Sequence, residues 1–163
     1  MRHTNLLLLF ISILTLSACV KAGKEVAEEL GIVPSSCGTD GARLEASVNG
    51  NAFCADGNLS AISDGTSATV IGLGLLGSAV TLQVDTLAAG TYVMNEAENS
   101  LLYMELGTPY VSIAEQPGTL TISSHDPASH RLKASFDAHV RNEMSGTVKP
   151  ISGTVDVTYT IEG

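Results

Sequence analysis

The strongest constraint on this chain is a period of two. From residue 132 to residue 140 every second side chain is apolar (Leu132, Ala134, Phe136, Ala138, Val140), and those between are Lys133, Ser135, Asp137 and His139. Successive side chains of a strand point to opposite faces, so the pattern predicts a strand with one buried and one wet side. The alternation returns over residues 153–161, with Val155, Val157, Tyr159 and Ile161 inward and Thr154, Asp156, Thr158 and Thr160 outward. Residues 118–123 alternate in the same way, and Asp126-Pro127-Ala128-Ser129 is a turn cluster. Nearer the start, Leu44, Ala46 and Val48 alternate with Arg43, Glu45 and Ser47, and Asn49-Gly50 is a strong two-residue hairpin turn leading to a return strand over residues 52–54. Residues 68–76 and 78–84 pair around Gly77, residues 90–94 enter a strand through a glycine, and residues 101–106 make another. No helical periodicity follows residue 40. One polar and one apolar face per strand implies antiparallel pairing over a single buried side.

A different pattern precedes the strands. A short basic start with Arg2 and His3 leads into an apolar run, Leu6 to Leu16, which closes on Leu16-Ser17-Ala18-Cys19. A charged n-region, an apolar h-region and small residues before a cut are the layout of an export signal. The run is too short to span a bilayer, which needs ~20 apolar residues. Cys directly after Leu-Ser-Ala resembles the lipobox of bacterial lipoproteins. In that family the Cys sulfur is lipidated, the peptide is cut before it, and the new N-terminus receives an acyl chain such as palmitate. The resemblance implies a signal peptide over 1–18, a lipidated N-terminus at Cys19 followed by a tether over 19–40, and a β-domain over 41–163. Val20 stands where lipoproteins kept at the inner membrane typically carry Asp, so the resemblance points to the outer membrane of a bacterial cell envelope. Residues 22–30 hold helix formers but are too few to be a stable helix alone, and Pro34-Ser35-Ser36 continues the tether.

Removing residues 1–18 takes Arg2 and no acid, so the formal net charge moves from −9 to −10. Such a chain lacks the electrostatic footprint of a nucleic-acid binder and is repelled by anionic lipid. With Cys19 taken by lipid, Cys37 and Cys54 remain. In an oxidising compartment an isolated pair is most simply a disulfide, whose loop closure corresponds to roughly 3 kcal/mol.

Several motifs match catalytic or binding chemistry in letters only. Gly72-Leu73-Gly74-Leu75-Leu76-Gly77 spells the dinucleotide fingerprint, which requires a helix after it; residues 78–84 read as a strand instead, so no cofactor is expected. Gly72 and Gly74 are then places where a strand bends or something packs closely. Ser124-His125-Asp126 lists the residues of a hydrolase triad, yet neighbours on a strand face opposite ways and cannot form one line of hydrogen bonds. His125, Asp126 and His130 flank one turn and would make an incomplete zinc set, so no metal is expected. His139 lies on a polar face. Asp40, Asp56 and Asp64 lie in Gly- and Asn-rich loops, where turn capping accounts for them better than calcium. The mature chain's six aromatics (Phe53, Tyr92, Tyr103, Tyr110, Phe136, Tyr159) and absence of Trp speak against a sugar-stacking platform.

The order of the lipobox, Ala-Ser-Val-Asn-Gly-Asn-Ala-Phe (46–53), Gly-Thr-Tyr (90–92), Gly-Thr-Leu-Thr-Ile-Ser (118–123), Arg-Leu-Lys-Ala-Ser-Phe (131–136) and Gly-Thr-Val-Asp-Val-Thr-Tyr (153–159) is similar to small bacterial envelope lipoproteins with an all-β domain. That group brings no catalytic residues. The expected fold is an all-β antiparallel meander of about eight or nine strands. Consecutive hairpins favour a barrel-like (calycin-like) closure, with a two-sheet β-sandwich as the alternative. The expected role is a non-enzymatic binding or structural module held to a membrane through lipid on Cys19, with an envelope protein as partner. The alternative is a calycin-like carrier, in which Gly72, Gly74, Ala134 and Ala138 leave room for a small apolar ligand.

Overall fold

The computed structural model describes residues 37–38, 41–75 and 77–162. The expectations for Cys19, for the signal and tether up to residue 36, and for Asp40 lie outside the described residues. Twelve strands follow in chain order: β1 (Arg43–Val48), β2 (Asn51–Cys54), β3 (Asn58–Ser63), β4 (Ala68–Leu73), β5 (Ala79–Val84), β6 (Gly90–Met94), β7 (Leu101–Glu105), β8 (Thr108–Ser112), β9 (Gly118–Asp126), β10 (Arg131–Arg141), β11 (Val148–Thr158) and β12 (Thr160–Ile161). No helix occurs among the described residues. All the strands belong to one compact unit, Ser36–Gly163.

The strands join one curled, mixed sheet that forms a half-barrel. Ten lie along the path β12-β3-β4-β5-β7-β8-β10-β11-β1-β2, while β6 and β9 stand off it, β9 pairing both β6 and β10. The expected one-sided alternation holds where it was clearest. In β10, Leu132, Ala134, Phe136, Ala138 and Val140 are buried, and so are Ile151, Val155 and Val157 of β11. These residues merge with Leu44, Val70, Leu82, Leu101, Leu120 and others into a single apolar cluster inside the curl. Each fully buried aliphatic side chain contributes about 1.5–3 kcal/mol. Asn49 and Gly50, at φ 49° and 80°, make the tight turn their sequence implied.

The meander expectation is corrected. The path is not sequential: β1 pairs with β11, β5 with β7, and β12 runs parallel to β3. The sheet branches because β10, at eleven residues, is matched in full by β11 on one edge but outruns either strand on the other. Its Arg131–Asp137 portion pairs with β9, and only Val140 and Arg141 pair with β8. There are also more strands than expected. β3 and β8 carry little of the alternation that marks a half-buried strand at sequence level, and β11 begins at Val148, five residues before the expected start.

Cys37 and Cys54 sit at disulfide distance, their Cα atoms 4.7 Å apart. This bond ties the segment ahead of β1 to β2, the four-residue strand at one end of the path. A short strand is one way of blunting an open sheet edge.

The outer face of β10 and β11 carries a charge network. Asp156 accepts hydrogen bonds from Arg131 Nε (2.7 Å) and Nη2 (3.0 Å), and Lys133 Nζ lies 3.0 Å away. The Arg131 guanidinium, with Lys133 adding to it, holds the Asp156 carboxyl below its ordinary value. A carboxylate favoured by folding stabilises fully above its ordinary range and stops doing so as pH falls through its lowered value. The melting temperature is therefore expected to drop on acidification below about pH 4. Because the network is largely solvent-exposed, Asp156→Asn should remove only ~0.5–1 kcal/mol of that pH-dependent stability. Asp64, Asp126 and Glu115, lowered in the same direction, retain the rest. Thermal melts of both proteins from pH 2 to 7 check this; parallel profiles would rule it out.

Candidate functional site

The histidine turn comes first. β9 carries a bulge: Ala134 pairs with Ile122 and Lys133 with Ser124, so Ser123 has no opposite number. The extra residue reverses the alternation and turns His125, opposite buried Leu132, toward the core side. There His125 Nε2 lies 2.7 Å from the hydroxyl of buried Tyr159. His130, in left-handed conformation (φ 52°), stacks on that ring with the centroids 5.3 Å apart. Burial and the Asp126 charge push the Tyr159 hydroxyl up. The Asp126 side chain accepts from Ala128 N–H (2.9 Å) and Ser129 Oγ (2.6 Å), which lower its pKa and cap the turn. The two histidines thus clamp a tyrosine at the bend between β11 and β12, while Asp126 is used elsewhere. Among the described residues no three His, Cys, Asp or Glu side chains are grouped to hold a metal.

The glycine run builds a hairpin. Gly72 belongs to β4, Gly77 takes a left-handed turn (φ 73°), and β5 follows where the fingerprint requires a helix. A Cβ on Gly72 would come within 2.9 Å of Ala55 Cβ and 3.3 Å of Leu44 Cδ1, and one on Gly74 within 2.5 Å of Ser78 Oγ. Buried Ala138 packs against Gly118, and buried Ala134 against the core cluster. The space expected at Gly72 and Gly74 is taken by neighbouring side chains. A shallow outer concavity of about 230 Å³, lined by Thr81, Gln83, Glu96, Ser100, Leu102 and Val111, is smaller than common ligand pockets. Asp64 accepts from the N–H groups of Thr66 and Ser67 (2.7 Å each), which hold its carboxyl far below the usual range, and Asp56 accepts from Leu75 N–H at 3.0 Å. Both cap turns. His139 stands on the outer face of β10, half-buried.

The opposite end of the half-barrel carries groups that sequence reading did not single out. Lys149 is in phase with Ile151 and points inward, its ammonium 4.4 Å from the centre of the Tyr110 ring and ion-paired with Glu105. Tyr103 packs on Tyr110 (6.0 Å) and edge-on to Phe53 (6.4 Å). Burial and Glu105 push the Tyr103 hydroxyl up, while hydrogen bonds from Lys149 to Glu105 and Tyr110 hold the ammonium above its ordinary value against the cost of burial. Apolar side chains rim this plug. Leu106 is 80% exposed, Met144 95%, Leu75 54%, Leu73 41% and Val148 39%.

Strand register puts these residues at one end. Leu73 pairs with Ala79 and Ala79 with Met104, setting the β4–β5 and β7–β8 turns side by side. Asn142 Nδ2 donates to Pro109 O (2.8 Å), which brings the β10–β11 turn onto β8. Leu106 also adopts φ 50°, a left-handed conformation costing roughly 1–2 kcal/mol outside glycine. A leucine that is both strained and exposed is a candidate for function rather than stability. No family model, curated protein or solved structure matches the chain.

Proposed function

We propose that this protein is a lipid-anchored bacterial envelope lipoprotein, held at the outer membrane through Cys19, whose β-domain is a non-enzymatic binding or structural module. The observation that carries the anchor is Cys19 directly after Leu16-Ser17-Ala18 at the end of a short apolar run. The pair Cys37–Cys54 supports an oxidising compartment. The plugged, apolar-rimmed end of the domain supports binding over catalysis, because its inward polar groups are already paired with one another. We read the half-barrel as a calycin-like closure, supported by the bend at Tyr159: β11 pairs with β1 and β10, and the same run continues as β12 against β3.

Labelling cells with an alkyne fatty acid tests the anchor. The wild-type protein should take up label and appear in membranes as the cut form, whereas Cys19→Ser should take up none and accumulate as the uncut precursor, which still carries the apolar run Leu6–Leu16. Unchanged labelling in Cys19→Ser would refute the reading. Native mass spectrometry of the mature protein separates module from carrier: a mass equal to that of the acylated chain supports the module, and added mass released by denaturation supports the carrier.

A further inference from the structure

The rim and the point where the tether joins the domain lie together. Cys37, the last residue before the domain that is covalently fixed to it, is bonded to Cys54. A Cβ on Gly74 would sit 3.3 Å from the Cys54 carbonyl oxygen; the Asp56 side chain holds Leu75 N–H, and Gly57 N–H donates to Leu73 O at 2.7 Å. Cys37 is therefore bonded to a residue that lies beside the segment carrying Leu73 and Leu75. The segment from Cys19 to Cys37 reaches no further than roughly 60 Å even if fully extended.

We propose that the rim of Leu73, Leu75, Leu106, Met144 and Val148 is a membrane-contact surface that seats the domain on a zwitterionic lipid surface beside its own anchor. The proposal rests on Cys19 being lipidated. Three observations converge on this occupant. The exposed apolar residues sit on three turns or on the strand ends beside them, all at one end of the domain, a layout suited to dipping several tips into a headgroup layer rather than filling a groove. The covalently fixed start of the domain, Cys37, is bonded to Cys54, whose carbonyl oxygen borders Gly74 between Leu73 and Leu75. The charges there are Asp56, Glu105, Glu143 and Glu115, with Lys149 and Arg141 already paired to acids. Anionic headgroups are thus disfavoured and neutral ones suit the surface. Leu106 fits the same account: strain and exposure are tolerated at a tip whose apolar side chain has a use outside the fold.

The chain contains no tryptophan, so one introduced indole reports its own surroundings. Leu106→Trp and Ala128→Trp, the latter on the exposed β9–β10 turn at the far end, are made in the full-length acylated protein and reconstituted into vesicles of phosphatidylcholine or its dibrominated analogue. The indole at position 106 should emit at shorter wavelength than in detergent-free acylated protein lacking vesicles, and lose most of its emission in brominated lipid. The indole at position 128 should do neither. A second variant, Leu106→Asn in a Leu75→Trp background, relieves the backbone strain, so it should melt higher than its parent yet show reduced quenching. Equal, weak quenching at positions 106 and 128 in protein whose mass confirms acylation would overturn the rim while leaving the anchor intact. A wavelength shift that depends on protein concentration and ignores bromination would overturn it in favour of a second copy or a protein partner. Mature protein without an acyl chain on Cys19 would overturn the anchor reading, and the rim proposal with it.

Discussion

Gly153→Ala is expected to destabilise the domain by about 3 kcal/mol, at the upper end of what overpacking a core usually costs. Gly153 sits in the middle of β11, opposite Ala46 on β1 and opposite Phe136 on β10. A Cβ there would lie 2.5 Å from Glu45 O, 2.6 Å from Phe136 Cζ and 2.9 Å from Ala46 Cβ. Its φ is outside the left-handed region, so the demand is for space and not for unusual backbone. The Phe136 ring covers the missing side chain, a pairing that lets an aromatic compensate a strand glycine. A ring can tilt, but the Glu45 carbonyl belongs to the ladder and cannot move without loosening β1 from β11. Phe136→Ala alone should cost about 3–5 kcal/mol by leaving a cavity. The two changes should be less than additive, because removing the ring removes one of the clashes the new methyl would meet. Urea titrations of the two single variants and the double variant measure this. A Gly153→Ala protein as stable as wild type would mean that β1, β10 and β11 are not held this closely.

How far the sequence could be read depends on how each element earns its burial. β10 and β11 were legible because their inward residues are large, apolar and in strict alternation, which only a half-buried strand satisfies. β3 was not, since its alternation is built from Leu59, Ala61 and the buried hydroxyl of Ser63, which donates to Ser67 O. β8 begins with Thr108-Pro109 and reads as a turn. Topology was the larger loss: the pairings of β1 with β11 and of β12 with β3 join residues about a hundred positions apart, and no local pattern encodes them. Of the candidate residues, the roles of Asp56, Asp64 and Asp126 in turns followed from composition. The placement of His125 against Tyr159 did not, because it depends on the Ser123 bulge, and a single inserted residue leaves no mark in a polar run. Lys149 could have been found. Carrying the Gly153–Val155–Val157 phase back through Ile151 places it inward, and an inward lysine requires a partner. The exposed rim could not, since exposure of Leu75, Leu106 and Met144 is a property of turns whose neighbours are distant in sequence.

Removing the Cys37–Cys54 bond is the other change with a large expected effect. The seventeen-residue separation between the two cysteines corresponds to roughly 3 kcal/mol of loop-closure entropy in the unfolded chain. For a domain of this size that is a fall in melting temperature of roughly 10 °C. The loop encloses all of β1 and its hairpin partner β2, so the bond restricts in the unfolded state the same segment that must find β11 late in the sequence. The folded side loses less: Leu44 N–H still donates to Cys37 O at 3.0 Å, and β2 keeps its pairing with β1. If the effect lies in the unfolded chain, the double variant Cys37→Ser/Cys54→Ser should show a larger denaturant slope along with its lower midpoint, because an unlinked chain exposes more surface. Reduction of the wild-type protein should reproduce both changes. A lower midpoint with an unchanged slope would instead place the stabilisation in folded-state contacts around Cys54, and an unchanged midpoint would show that the tether's staple adds nothing to the stability of the β-domain.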